Sequence, residues 1–331
     1  MDGKDQHADD SAYDQRPPKR ARRTPPPAPH LSASQPGYSS STTSNGHTGT
    51  NGASRASPLP PLSLSILGVE PLDEFIREVA DWVHHMIGQR PDGAGTVEVE
   101  AKIGILRDKA TSQRLQLPML VETILVPNAI DCRFESNMSA SQHKHFNTLL
   151  NNLKMAPTPA SPSPINYAHL HVVDSFYSPD GARGERVRVT RDEKTGTVTA
   201  CVRKIRLGSL DIYSPKRAAD WRISVNVEVP VSMPIGVATL TRKKDRMSYA
   251  HEEFIIDLTQ VTSTNAGGPK EVLHELEVEV ARPEYLLSTA AKRGDPNVSE
   301  EERGAFDELI RAFVNNARIL VRNAGDGWQH P

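Results

Sequence analysis

One stretch restricts what this chain can become more than any other: Val97-Glu98-Val99-Glu100-Ala101-Lys102-Ile103. Read at strand period, it sends Glu98, Glu100 and Lys102 to one side and Val97, Val99, Ala101 and Ile103 to the other. Far downstream, Leu273-His274-Glu275-Leu276-Glu277-Val278-Glu279-Val280 puts three more carboxylates on one face. The strands between them are basic on one face. Arg186-Val187-Arg188-Val189-Thr190 alternates cleanly, residues 198–207 carry Lys204 and Arg206 together, and residues 241–248 carry Arg242, Lys244 and Arg246.

Antiparallel sheets normally bury the apolar face and wet the polar one. Here the polar faces are nearly solid with ionisable groups and segregated by sign, although like charges at i, i+2 repel. The pattern predicts an α+β fold. Its centre is a closed antiparallel β-barrel with a polar, charged lumen, and helices pack on its apolar outer face. A β-sandwich with a charged outer face accommodates the same alternation. A membrane barrel would need a signal peptide and aromatic girdles, and the sequence has neither.

At 331 residues, the chain has room for one large domain or two ordinary ones. A net charge of −2 argues against a general duplex-DNA binder but permits a locally basic site. The two cysteines, Cys132 and Cys201, have no C-x-x-C partner and read as core residues of a reducing compartment. No apolar run approaches membrane-spanning length.

Residues 1–60 read as a disordered Ser/Pro-rich tail, with residues 61–331 as the folded, catalytic part. The tail has almost no bulky apolar residues to offset ordering entropy. Its cluster Pro17-Pro18-Lys19-Arg20-Ala21-Arg22-Arg23 suits a nuclear import signal. Leu72, Phe75, Ile76, Val79, Val83 and Met86 predict a helix over 71–87 that Gly88 ends, with His84 and His85 structural. Residues 119–126 read as another strand or an extended segment. Ser139 or Ser141 should cap a helix carrying Phe146, Leu149, Leu150 and Leu153, and the four prolines of 156–164 form an exposed connection. Strands follow from 168 to 280, the longest over 221–231 with Arg222, Ser224, Asn226 and Glu228 on one side. A final helix opens on the capping box Ser299/Glu302, and Gly325 is placed to stop it.

Carboxylate oxygens suit hard cations, so the lumen calls for Mg²⁺ or Mn²⁺ rather than zinc. Opposing Arg and Lys rows would neutralise a polyphosphate and hold it in register. Metal and cations together supply most of what phosphoryl transfer requires, and Glu228 could orient or deprotonate a water. No Gly-x-x-x-x-Gly-Lys-Ser/Thr loop is present, and His274-Glu275 lacks the second His of a metalloprotease.

Paired with His274-Glu275-Leu276-Glu277-Val278-Glu279, the Glu98-Val99-Glu100-Ala101-Lys102 stretch resembles the fungal RNA 5′-triphosphatases, the beta subunit of the mRNA-capping enzyme, within the triphosphate tunnel metalloenzymes. Arg186–Thr190, Arg222–Pro230 and Arg242–Tyr249 resemble the same family, so the likeness runs in order from about residue 65 to 282. It implies hydrolysis of the γ-phosphate from 5′-triphosphate ends of nascent mRNA, leaving a diphosphate for guanylylation in the nucleus. It also implies that Glu98, Glu100 and Glu279 hold the metal and that Arg188, Lys244 and Arg246 contact the γ-phosphate. Lys204, Arg206, Arg242, Lys102, Asp257, Glu275 and Glu277 would line and brace the tunnel, Glu228 would position water, and Asp174 would belong to the site. The implied partners are triphosphate-ended RNA, the capping guanylyltransferase and a second copy of the chain, with no membrane. Residues 1–70 contain no tryptophan and so lack the tryptophan-rich docking peptide of the budding-yeast type. Two rival readings are a tunnel hydrolase of free nucleotides or inorganic triphosphate, and a non-catalytic subunit that binds RNA 5′ ends.

Overall fold

Strand β1 (Thr96–Asp108) is hydrogen-bonded on both edges, and that pairing closes the sheet. In this computed structural model, residues 62–325 are described, except 72, 92, 94, 157–162, 179–184 and 266. The basic cluster at 17–23, the rest of the 1–60 tail, Leu72 and most of the 156–164 connection therefore lie outside the described residues.

The other staves of the barrel are β4 (Asn166–Tyr177), β5 (Val187–Asp192), β6 (Val198–Tyr213), β7 (Asp220–Pro230), β8 (Leu240–His251), β9 (Phe254–Asn265) and β10 (Lys270–Val280). Around the wall they run β10-β9-β8-β4-β5-β6-β7-β1, and β1 then pairs β10, every pairing antiparallel. The closed antiparallel barrel is as expected, eight strands make its wall, and closure leaves none of these strands as an open edge. Two short strands, β2 (Thr123–Leu125) and β3 (Cys132–Glu135), hang on β6 and β1.

The hydrophobic core lies outside the barrel wall. Val97, Val99, Ala101 and Ile103 of β1 and Trp221, Ile223, Val225 and Val227 of β7 are all buried, on the faces opposite the charges. Helices α1 (Glu74–Gly88), α3 (Pro283–Lys292) and α4 (Glu300–Arg322) cover them, and α2 (Ala140–Met155) packs on β9 and β10. Helix α4 starts where the capping box places it, with the Ser299 hydroxyl accepting from the Glu302 N–H. Its buried stripe runs Phe306, Leu309, Ile310, Phe313, Val314, Ala317 and Leu320. Each large side chain buried here contributes about 1.5–3 kcal/mol, so this stripe is a main anchor of the wall. The Asp73 carboxylate caps α1 through the N–H groups of Phe75 and Ile76, and His84 Nε2 meets the Ala290 carbonyl at 3.0 Å, the structural role expected of it.

Several expectations need correction. The 119–126 stretch does hold a strand, limited to Thr123–Leu125, whereas β3 and α3 carried no periodic signal strong enough to be read. Ser139 is the cap of α2, but Leu153 is exposed, because that helix buries only Gln142, Phe146 and Leu150. Helix α4 ends at Arg322, before Gly325. Cys132 and Cys201 are partly exposed rather than core residues.

Gly104, on the lumen side of β1, shows how closely β3 approaches the barrel. A methyl group there would collide with the Glu135 backbone and the Phe134 ring, so only glycine lets β3 cross so closely. The Phe134 ring in turn lies 5.0 Å from the Arg222 guanidinium carbon.

Candidate active site

Strand alternation turns most of the charged rows inward. The chamber of about 370 Å³ inside the barrel is lined by Glu98, Glu100 and Lys102 from β1, Val172, Asp174 and Phe176 from β4, and Arg188 and Thr190 from β5. Lys204 of β6, Glu228 of β7, Arg242, Lys244 and Arg246 of β8, and Glu275, Glu277 and Glu279 of β10 complete it. Of the residues singled out from the sequence, only Arg206 and Asp257 are missing from this lining. Asp257 is buried behind Arg246, with Oδ2 2.8 Å from the guanidinium. Arg206 is exposed beside a β-bulge at Arg206/Gly208, where the alternation of β6 is interrupted.

The groups are braced in pairs. Arg188 Nη2 donates to Glu228 Oε1 at 2.8 Å, and Arg242 Nη2 to Glu275 Oε1 at 2.8 Å. Lys244 Nζ lies 2.6 Å from Asp174 Oδ2, whose other oxygen accepts from the Thr190 hydroxyl at 2.6 Å. Arg246 reaches both Asp257 and, at 3.4 Å, Glu277, while Lys102 bridges Glu277 and Glu100. Lys204 pairs with Glu98 and, at 3.4 Å, with Glu100.

Glu279 is the exception. Glu100 and Glu279 stand directly opposite each other across the β1–β10 ladder, an arrangement that destabilises a sheet unless something positive intervenes. Among the described residues, Glu279 makes no ion pair. Burial, then Glu98, Glu277, Asp257 and Glu100, push its carboxyl up to about 8. Burial and Glu100 raise Glu98 as well, against the pull of Lys204. Glu100 and Glu277 are the reverse case: burial opposes ionisation, but Lys102 with Lys204 for the first, and Lys102 with Arg246 for the second, hold them below the ordinary range. Lys102 is driven up by Glu277 and Glu100 despite burial, whereas burial and Arg246 leave Lys244 lowered.

This donor set fits a hard divalent cation. Glu98, Glu100 and Glu279 offer only oxygen, face one another, and include one group that ionises unwillingly without a positive partner. Among the described residues, only His169, His171 and Asp245 bring three ligand atoms all within 4.8 Å of one another. The glutamates sit wider, with Glu98 and Glu100 drawn toward Lys204 and Lys102.

Sequence reasoning placed Asn226 on the Glu228 face but gave it no role; it is fully buried and donates from Nδ2 to Glu98 Oε2 at 2.9 Å and Glu100 Oε1 at 3.2 Å. Nor did that reasoning give a role to Thr190 or to the bidentate Arg222–Asp211 pair at 2.6 and 2.8 Å. The signal for Asn226 and Arg222 was present, since both share the inward face of β7 with Glu228. The Arg188 Nε atom is buried without a hydrogen-bond partner among the described residues, as is Asn226 Oδ1.

The family model described as mRNA capping enzyme, beta chain, matches residues 69–326. The mRNA-capping enzyme subunit beta of Schizosaccharomyces pombe is 35% identical over 267 residues, covering 80% of this chain and 86% of the relative. Its counterpart in Cryptococcus neoformans is 32% identical over 270 residues, covering 80% of this chain and 65% of the relative. The solved structure of the S. pombe RNA triphosphatase Pct1 superposes with a TM-score of 0.72 at 34% identity, over 81% of this chain and 100% of that one.

Proposed function

Because this chain belongs to the family of mRNA capping enzyme beta chains, we propose that its chamber hydrolyses the γ-phosphate from the 5′-triphosphate end of nascent mRNA. The chain is an RNA 5′-triphosphatase, a hydrolase of the first step of mRNA capping. Water attacks the γ-phosphorus, the bond to the β-phosphate oxygen breaks, and inorganic phosphate leaves a diphosphate-ended RNA. The observation that carries the reading at residue level is the buried Nε of Arg188, left without a hydrogen-bond partner among the described residues while Nη2 of the same guanidinium is braced by Glu228. A phosphate oxygen would satisfy that donor.

In this reading Arg188, Lys244 and Arg246 hold the γ-phosphate, with Arg242, Lys204 and Lys102 along the rest of the triphosphate. Glu228 gives one carboxylate oxygen to Arg188 and keeps the other to orient the attacking water. Asp174, Asp257, Glu275 and Glu277 offset the mutual repulsion of the cations and hold them in place, and exposed Arg206 meets RNA outside the chamber. Glu98, Glu100 and Glu279 would hold one divalent cation, magnesium or manganese, which when bound neutralises charge building on the phosphate oxygens.

The remaining assignments belong to the same proposal. Residues 61–331 form the catalytic part, and the basic cluster at 17–23 directs the protein to the nucleus. The partners are triphosphate-ended RNA, the capping guanylyltransferase and a second copy of the chain. Among the described residues, no helix is long and apolar enough to cross a membrane.

The test is manganese-dependent phosphate release from triphosphate-ended RNA, compared with ATP and tripolyphosphate. Release from RNA that is lost in Glu98→Ala, Glu100→Ala and Glu279→Ala, each still folded, is expected. Turnover of tripolyphosphate but not RNA would favour the inorganic-triphosphate reading. RNA binding without any turnover would leave only a 5′-end-binding subunit.

A further inference from the structure

The outer wall of the barrel carries a second constellation that the hydrolysis does not use. On β4 the inward residues are Val172, Asp174 and Phe176, so His169 and His171 project from the opposite face. Asp245 of β8 sits directly across the ladder from His171. The His169 Nε2 atom is 2.5 Å from Asp245 Oδ1, and the His171 Nδ1 atom is 3.7 Å from the same oxygen. The two imidazole rings are 4.5 Å apart, centroid to centroid.

We propose that His169, His171 and Asp245 form a binding site for a first-row transition dication of the zinc class, separate from the catalytic chamber. Ligand atoms placed tetrahedrally at about 2.0–2.1 Å from a metal stand about 3.3 Å apart. The observed separations of 2.5 and 3.7 Å straddle that value, so small side-chain rotations bring the atoms into position. The side chains are between a third and a half exposed, which leaves that movement free and the remaining coordination positions open to water. Two nitrogens and one carboxylate select zinc, cobalt or nickel, whereas the all-oxygen chamber selects magnesium or manganese. The two sites are therefore separated by ligand chemistry as well as by the barrel wall.

The surroundings favour a dication. The same outer row continues across the sheet from Asp245 to Gln260 and His274, whose ring lies 4.8 Å from that of His143 on α2. His143 Nδ1 is buried without a hydrogen-bond partner among the described residues, and burial and His274 lower its pKa to about 4. The patch thus holds a neutral imidazole rather than a competing cation. The nearby Lys243 is already paired with Glu193 at 3.0 Å.

Cobalt serves as the probe, because a four-coordinate, nitrogen-containing cobalt site absorbs visible light far more strongly than a six-coordinate oxygen site in the chamber would. Titrating the untagged full chain with Co²⁺ should develop an intense visible band at one equivalent. The band should persist in Glu98→Gln/Glu279→Gln, whose chamber is disabled. Losing even an outer partner of a metal ligand costs about 10–100-fold in affinity. His169→Ala/His171→Ala should therefore weaken cobalt binding by roughly 100-fold or more, and Asp245→Asn by at least about tenfold. Parental RNA hydrolysis by the double-alanine variant in manganese would show that it is folded. Superimposable titrations of the parent and the double-alanine variant would overturn the proposal. So would a band that disappears with the chamber glutamates and survives without the histidines.

Discussion

Replacing Glu279 by glutamine keeps the side chain's shape and removes its charge, and the structure sets the size of the effect. In the folded chain burial and four neighbouring carboxylates move this carboxyl from 4.5 up to about 8. Between those values the folded chain holds a proton that the unfolded chain has released. The stabilising contribution of the group is therefore complete below about pH 4.5, declines as pH rises, and is gone above about 8. Each tenfold in proton activity corresponds to about 1.4 kcal/mol. By about pH 7 the parent has lost about 3 kcal/mol relative to a side chain that cannot ionise. Water and mobile ions in the chamber screen the neighbouring carboxylates, so this is an upper limit.

In EDTA, Glu279→Gln should therefore be more stable than the parent by up to about 3 kcal/mol near pH 7, and indistinguishable from it near pH 4.5. Its activity should be abolished, because an amide is a poor ligand for a hard cation. Manganese at about 100 times its dissociation constant should stabilise the parent by about 2.7 kcal/mol and the variant by much less, closing the gap. Urea unfolding between pH 4.5 and 8, with and without manganese, reads both stabilities, and phosphate release reads the activity. A variant no more stable than the parent in EDTA near pH 7, or one that still turns over RNA, would refute the argument that this glutamate is kept at a cost for its metal.

Asn226→Ala removes the donor that holds Glu98 and Glu100, so the manganese concentration for half-maximal activity should rise about 10–100-fold with little loss at saturating metal. Arg246→Ala should lower phosphate release by about 10²-fold or more, whereas Lys19→Ala should leave the rate on short RNA unchanged; the reverse ranking would move the active surface into the tail. Asp220 is fully buried and accepts from the N–H groups of Leu106 and Ser214 and from Arg114. Removing it strands those donors and the Arg114 charge, so Asp220→Ala should cost about 3–5 kcal/mol in urea unfolding.

How much of this was legible in the sequence follows from what alternation encodes. A period of two states which residues share a face. When one face is solid with charge and the other with Val, Ile and Trp, the inside of a barrel is nearly written out, as β1, β7 and β10 show. Arg206 marks a limit of that logic: it is exposed although its register partner is the buried Asn226, and the β6 bulge begins immediately after it. Segments without a period, such as β3, stayed invisible because their place is set by what they touch. Phe134 lies close to Arg222 and fills the space left by Gly104, and neither relation exists along the chain.

The sequence by itself therefore determined the sheet's two faces, the segregation of charge by sign and the caps of the main helices. Each of these depends on neighbours within a few positions along the chain. Only the tertiary structure decided that Glu100 confronts Glu279, that Asn226 ties Glu98 to Glu100, and that His171 meets Asp245 on the outer wall. Those pairings depend on register between strands, which closure of the barrel sets through the packing of its whole apolar exterior.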